Sequence, residues 1–564
     1  MSQYVPAAAA VPLVLLLFLA GACGEGGSED RPTTLAGRST VYAPRGAVAA
    51  SQPLATSAGL AVLEQGGNAI DAAVTAAAVL TVTEPHMTGI GGDVFAIVWS
   101  AEEGALIGLN ASGRSGSRMT RQALRERDLD RVPLFGAEPV TVPGALSGWS
   151  ALLERFGTIE LAQALGPAIR LAEEGFPVSP KIARQWAAET GRLTRDEGAR
   201  DTYLMEDGTT PRAGEWFRNP DYASTLRAIA RRGPGHLYGG ELGRTIAEHL
   251  QQEGGFLTPE DLRAHRVEWV EPVGLPFHGY TVWELPPNGQ GIAALEMLGI
   301  LETFDLEGMG HNSPAYLHHL IEAKKQAFAD LEAYVGDPTS MEASPEDLLE
   351  EDFLRRRREA IHPREASEGA APGELDLSSE TIYLTAADSR GNMVSFINSI
   401  YWEFGSGVVV PGTGFALQNR GAGFTTEPDH PNTVGPGKRP FHTLIPGFVT
   451  RTGSEGGIEP WLAFGVMGGS MQPQGHVQLL LNLLVFGMDL QEAVDAPRFR
   501  HLGGRRVALE APIPGRVRGE LTRMGHELTD EGRTAFGGAQ AILRLAPGWA
   551  AASDPRKDGQ AGGH

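Results

Sequence analysis

The sequence predicts a layered mixed fold, α/β or α+β, and three observations carry that expectation. Helical patterns dominate the first part of the chain, β-pattern prevails from Thr381 onward, and strand candidates are interleaved among the helices. With 42% hydrophobic and 21% charged residues, the 564-residue chain has an ordinary globular composition, long enough for several average domains.

Taken in order, residues 23–38 form a polar tether. Helices are expected over 54–65, 69–82, 145–156, 159–174, 241–252 and 314–332, with strands at 94–100 and 280–284 between them. The run 366–380 is polar, acidic and Gly/Pro-containing, which suits an exposed, loosely held loop. Strands follow at 415–417, 444–449 and 462–466, then helices at 475–487 and 490–496. Arg355 to Arg358 marks a solvated helix face among acidic neighbours. No internal repeat is evident.

The formal net charge of −22 argues against nucleic acid or an anionic membrane surface as partner. Residues 11–20 are apolar, too short for a stable transmembrane helix, and fit the core of a secretory leader spanning 1–22. Cys23, the single cysteine, follows the small residues Ala20-Gly21-Ala22. Two readings stand: lipidation at Cys23 of a bacterial lipoprotein, or ordinary leader removal that leaves the thiol free. The n-region lacks a basic residue, and Ala20 stands where a lipoprotein usually has leucine. Either reading places the mature protein in the cell envelope or beyond, without an intramolecular disulfide.

Thr381-Ile382-Tyr383-Leu384-Thr385-Ala386-Ala387 and Met393-Val394-Ser395-Phe396-Ile397-Asn398-Ser399 flank the turn Asp388-Ser389-Arg390-Gly391-Asn392 and read as a hairpin. A threonine between a loose loop and a core strand could become a new chain terminus, whose free amine would serve its hydroxyl as base. Taken alone, Thr381 reads as readily as a β-branched strand residue. Downstream, Phe464-Gly465-Val466-Met467-Gly468-Gly469-Ser470 is an apolar strand ending in paired glycines, whose N–H groups could approach a ligand as an oxyanion hole.

Together with Gly66-Gly67-Asn68-Ala69-Ile70-Asp71, Glu84-Pro85-His86-Met87-Thr88-Gly89-Ile90-Gly91-Gly92, Val142-Pro143-Gly144, Tyr334-Val335-Gly336-Asp337-Pro338 and Ala552-Ser553-Asp554-Pro555-Arg556, these motifs resemble the gamma-glutamyltransferase family of N-terminal-nucleophile (Ntn) hydrolases. The resemblance runs in the family's order from about Val41 to the C-terminus. It implies an α+β four-layer αββα sandwich, with 39–380 as the large chain and 381–564 as the small chain of one domain. Cleavage at Glu380–Thr381 would yield a heavy–light heterodimer.

By the same resemblance Thr381 is the nucleophile, Ser399 its supporting hydroxyl, and Gly468 and Gly469 the oxyanion pair. The departures matter as much. Tyr401 replaces an asparagine. The family's Asn-Gln-Met-Asp-Asp-Phe segment reads Asn419-Arg420-Gly421-Ala422-Gly423-Phe424, so Gly423 stands at the aspartate that grips a substrate ammonium, and Arg420 at a glutamine. His442-Thr443 replaces a serine pair. The carboxylate-gripping arginine of the large chain aligns with Ser112, while Arg114 lies two positions on, either its replacement or a surface arginine. The pocket has therefore lost a carboxylate and gained a cation. That favours an acyl group with a terminal carboxylate and no amine, such as a glutaryl chain, as in cephalosporin-acylase-like members. A short 424–435 segment implies an open site.

No Cys/His cluster has zinc spacing and no nucleotide-binding glycine motif occurs, so the expectation is a cofactor-free enzyme. Adjacent His318 and His319 cannot both face one metal and read as one surface and one core histidine. The expected function is an exported, self-processing amidohydrolase acting on a γ-glutamyl or glutaryl-like amide, with water favoured over an amine or peptide acceptor. True γ-glutamyl transfer, a poly-γ-glutamate or peptide-polymer substrate, and a non-catalytic binding lipoprotein are the rivals.

Overall fold

Two antiparallel seven-stranded sheets lie face to face and carry helices on their outer sides. The computed structural model describes residues 37–369, 381–453 and 456–564. The leader, Cys23, nearly all of the tether and Glu380 lie outside the described residues.

One sheet runs Val41–Ala43, Trp549–Ser553, Gly538–Arg544, Ile458–Met467, Gly447–Thr452, Tyr280–Glu284, Val273–Phe277. The other runs Gln560–Gly563, Ala47–Ala50, Ile382–Ala387, Met393–Ser399, Asp93–Ser100, Ala105–Asn110, Glu268–Val270. Each sheet thus interleaves strands from before and after residue 380, and Arg38–His564 is one compact unit.

Alternation along the strands builds the layers. Ile382, Leu384 and Ala386 face an outer core shared with the helices Pro53–Glu64 and Ala69–Thr83, whereas Tyr383 and Ala387 face the partner sheet. In the other sheet Ala463 and Met467 point inward, while Leu462, Phe464 and Val466 meet the helices Gly291–Leu301, Pro314–Tyr334 and Met471–Leu484. The result is the expected αββα sandwich. Helix Ala69–Thr83 is buried along all 15 residues, which explains its continuous Ala/Val/Thr sequence, and an Asn68–Asp71 capping box starts it.

Several expectations shift. The single helix expected over 159–174 is two, Leu161–Ala164 and Gly166–Glu174, because Pro167 lacks the N–H that would carry the hydrogen-bond ladder from the first into the second. Residues 415–417 supply only an isolated bridge, Val409 with Ala416. His318 and His319 are both buried, which corrects the surface reading: His318 lies 2.9 Å from His526, and His319 is bound to the Ala315 carbonyl. Of the arginine tetrad, Arg355 is on the expected exposed face, but Arg358 turns inward to the carbonyls of Gly299 and Ile300.

Candidate active site

The hairpin register places the first pair of polar groups. Ile382 pairs with Asn398, so the next residues outward, Thr381 and Ser399, face each other. Both are fully buried, and the Thr381 hydroxyl donates to Ser399 Oγ at 3.3 Å. Ser399 Oγ also accepts the Tyr401 N–H at 2.8 Å, a contact made with Tyr401 at φ 80°. The chain crosses so closely here that a Cβ at Gly92 would run into the Ser399 carbonyl. Asp388 fixes the far end of the hairpin: it accepts the N–H groups of Arg390 and Asn392 and, across the structure, that of Ala69 at the head of the buried helix.

Strand Ile458–Met467 ends at Gly468 and Gly469, with φ of 121° and 56°, conformations that favour glycine. Their carbonyls accept the first N–H groups of helix Met471–Leu484, and Gln290 Nε2 donates to the Gly469 carbonyl at 2.8 Å and to that of Thr443 at 2.7 Å. Among the described residues the amide N–H groups of the two glycines have no acceptor, the arrangement an oxyanion hole needs.

Beside Tyr401 lies a buried polar cluster. Arg420 is 1% exposed, its guanidinium 4.5 Å from the Tyr401 ring centroid, and Nη1 donates to Thr443 Oγ1 at 2.6 Å. Among the described residues its Nε and Nη2 have no partner. Burial pulls Arg420 down to about 10, opposed by Asp93, so it remains a cation at neutral pH. Asp93 takes the N–H groups of Gly113 and Gly144 on one oxygen and faces His442 Nε2 at 3.1 Å on the other. Burial raises Asp93 to about 7, against the pull of Arg420 and those N–H groups. Burial, then Arg420 and Arg439, hold His442 well below its ordinary value. Its Nδ1 accepts the Leu444 N–H, which puts the ring proton on Nε2, facing Asp93.

A cavity of about 580 Å³ opens beside these elements, lined by Gln290, Ser470, Gly423 and Phe441 and, farther along, by Lys324 and Arg500. On its Cβ side Gly423 meets only the Phe441 carbonyl, at 3.3 Å. Two expected site residues are engaged elsewhere. Arg114 binds Asp337, Glu268 and the Gly437 carbonyl, and the Ser112 hydroxyl donates to Asn110 Oδ1. Neither lines the cavity, and neither do Thr381, Ser399, Tyr401 and Arg420. Asp93 and Gln290 were not singled out in the sequence; the Gly/Pro-rich Pro286-Pro287-Asn288-Gly289-Gln290-Gly291 was the signal for the second.

His318, Glu322 and His526 bring three metal-ligand atoms within 4.8 Å of one another. However, Lys325 Nζ already satisfies Glu322 at 2.7 Å, and the two imidazoles are hydrogen-bonded to each other.

Comparison with known proteins accords with this geometry. The family model described as Gamma-glutamyltranspeptidase matches residues 55–564. A glutathione hydrolase-like proenzyme of Bacillus subtilis is 37% identical, covering 90% of this chain and 97% of its own. An acylase ACY 1 proenzyme of a Pseudomonas species is 36% identical, covering 88% and 89%. Among solved structures, a cephalosporin acylase from Bacillus halodurans superposes with a TM-score of 0.89 at 43% identity, covering 96% of this chain and 99% of that one.

Proposed function

The chain belongs to the gamma-glutamyltranspeptidase family, and within it we propose that this protein is a self-cleaving amidohydrolase selective for acyl groups that end in a carboxylate. The observation that carries the selectivity is Arg420, a buried cation that has two nitrogens without a partner among the described residues and lies beside Thr443, while Gly423, three positions on, offers no carboxylate. A charged hydrogen bond contributes roughly 1.5–3 kcal/mol. An acyl carboxylate gains it from Arg420, whereas an α-ammonium meets only repulsion there.

In processing, Thr381 Oγ attacks the Glu380 carbonyl carbon. The C–N bond breaks as the ester forms, and the Thr381 nitrogen takes the proton to become a free amine. Water then cleaves the ester, leaving a Glu380 carboxylate and restoring the hydroxyl. Ser399, 3.3 Å away, orients that hydroxyl, while the N–H groups of Gly468 and Gly469 receive the developing oxyanion. In turnover the free amine, with a reference pKa of ~7.7–8.0, accepts the hydroxyl proton as Oγ attacks the substrate amide. The departing amine takes that proton, and water resolves the acyl-enzyme.

The relatives' names favour a second reading, hydrolysis of γ-glutamyl amides. Export, with lipidation at Cys23, completes the proposal.

The test joins intact mass to product analysis. Wild type should split at Thr381 while Thr381→Ala stays whole, and the processed protein should hydrolyse a glutaryl amide faster than glutathione. Equal or better turnover of glutathione would overturn the selectivity. An uncut wild type would point to a binding protein.

A further inference from the structure

We propose that Arg500 forms an anion subsite in the cavity wall that receives a carboxylate carried by the leaving amine of the substrate. This inference rests on the amidohydrolase reading and extends it to the other half of the substrate.

Arg500 sits on the strand Phe499–Gly503, paired with Ala508, and is 5% exposed. Arg420 aside, whose one hydrogen-bond partner is the Thr443 hydroxyl, the other deeply buried arginines have anionic or carbonyl partners. Arg498 meets Asp554 and two carbonyls, Arg556 meets Asp554 and Glu510, and Arg439 meets Glu268 and the Ser112 carbonyl. Arg500 is the exception. Its Nε is buried without an acceptor, and among the described residues its guanidinium has neither hydrogen bond nor ion pair. Such a cation is expensive to bury and is retained where a ligand completes it.

The surroundings fit an anion. Lys324 lines the same cavity, its Nζ 3.8 Å from the Phe328 ring centroid, which adds an apolar wall. Lys325 is ion-paired with Glu322 at 2.7 Å. The acidic lining residues are Glu332 and Glu427, and Glu332 lies two turns of helix, about 12 Å, beyond Lys324. The same cavity reaches Gln290 and Ser470, which adjoin the oxyanion glycines. Arg420 is not part of its lining. The two arginines therefore serve different parts of one substrate: Arg420 the acyl end and Arg500 the amine that departs.

Glutaryl-p-aminobenzoate and glutaryl-anilide differ only in a carboxylate on the leaving group. Processed wild type should favour the first by tenfold or more in kcat/KM, chiefly through KM. That ratio should fall about tenfold in Arg500→Ala and recover in part in Arg500→Lys. Equal turnover of the two amides by wild type, or an unchanged ratio in Arg500→Ala, overturns the subsite. Calorimetric titration of p-aminobenzoate against aniline needs no turnover and so separates the subsite from the acyl reading. Tighter p-aminobenzoate binding by processed wild type, weakened in Arg500→Ala, upholds the subsite even if glutaryl amides are inert. Equal binding of the two amines refutes it.

Discussion

Thr381 and Ser399 face each other one residue beyond Ile382 and Asn398, the last registered pair of their hairpin, hydroxyl to hydroxyl at 3.3 Å. Because the pair is set by strand register, its geometry follows from the hairpin rather than from a loop. Ser399→Ala should slow self-cleavage by ~10–100-fold, as expected for loss of one orienting hydrogen bond of about 1.5–3 kcal/mol to a polarised group. Ser399→Thr should keep most of the rate. Time courses of chain splitting by denaturing electrophoresis check both.

Arg420 and Gly423 should act as a specificity pair. Arg420→Gln should cut the preference for glutaryl over γ-glutamyl amides by ~10–100-fold, the value of a charge-assisted bond. Adding Gly423→Asp should move the preference toward glutathione. The new Cβ meets the Phe441 carbonyl at 3.3 Å, so a local shift of a few tenths of an ångström admits it. Steady-state kinetics on the two amides read the outcome.

Gly468 tolerates no side chain without strain at φ 121°. Gly468→Ala should lower kcat by ~100-fold or more through a displaced oxyanion donor, with KM changed far less. A parallel fall in chain splitting would tie processing and turnover to the same hole.

Burial alone would raise Asp554, but Arg556 and Arg498 overcome it and hold the carboxyl down to about 2. A depressed carboxylate stabilises the fold above its unfolded value and loses that contribution as pH falls through its folded value. The contribution, on the order of 2 kcal/mol by linkage, should be complete above about pH 5 and lost between about pH 4 and 2. Thermal melts across that window should show a steeper acid loss in wild type than in Asp554→Asn, which should already be destabilised at pH 6.

Metabolic labelling with a radioactive fatty acid in a bacterial host should mark the full-length protein and not Cys23→Ala. Unlabelled wild type recovered free in the medium would instead support ordinary leader removal.

Much of the architecture was legible because strand and helix periods are local. The hairpin around Asp388 to Asn392 could be read from two β-rich runs and a polar turn, and helices Ala145–Phe156 and Glu241–Gln252 fall where their apolar spacing puts them. The C-terminal strands Gly538–Arg544, Trp549–Ser553 and Gln560–Gly563 were not anticipated. Their Ala- and Gly-rich sequences carry little β-signal, and sheet neighbours decide their state. Helix Gly291–Leu301 escaped for a related reason: it is buried on every side, so its apolar run has no helical stripe.

The sequence by itself determined the family and the αββα class and singled out Thr381 as candidate nucleophile, because ordered motifs of glycine, threonine and acid residues survive as local patterns. Tertiary structure alone decided which charges are free. Nothing in the sequence distinguishes Arg114, held by Asp337 and Glu268, from Arg420 and Arg500, neither of which has a carboxylate bound to its guanidinium among the described residues. His442 meets Asp93 across 349 positions of chain. Whether a buried cation is neutralised depends on which distant carboxylate the packing brings within reach, and that pairing has no local period to betray it.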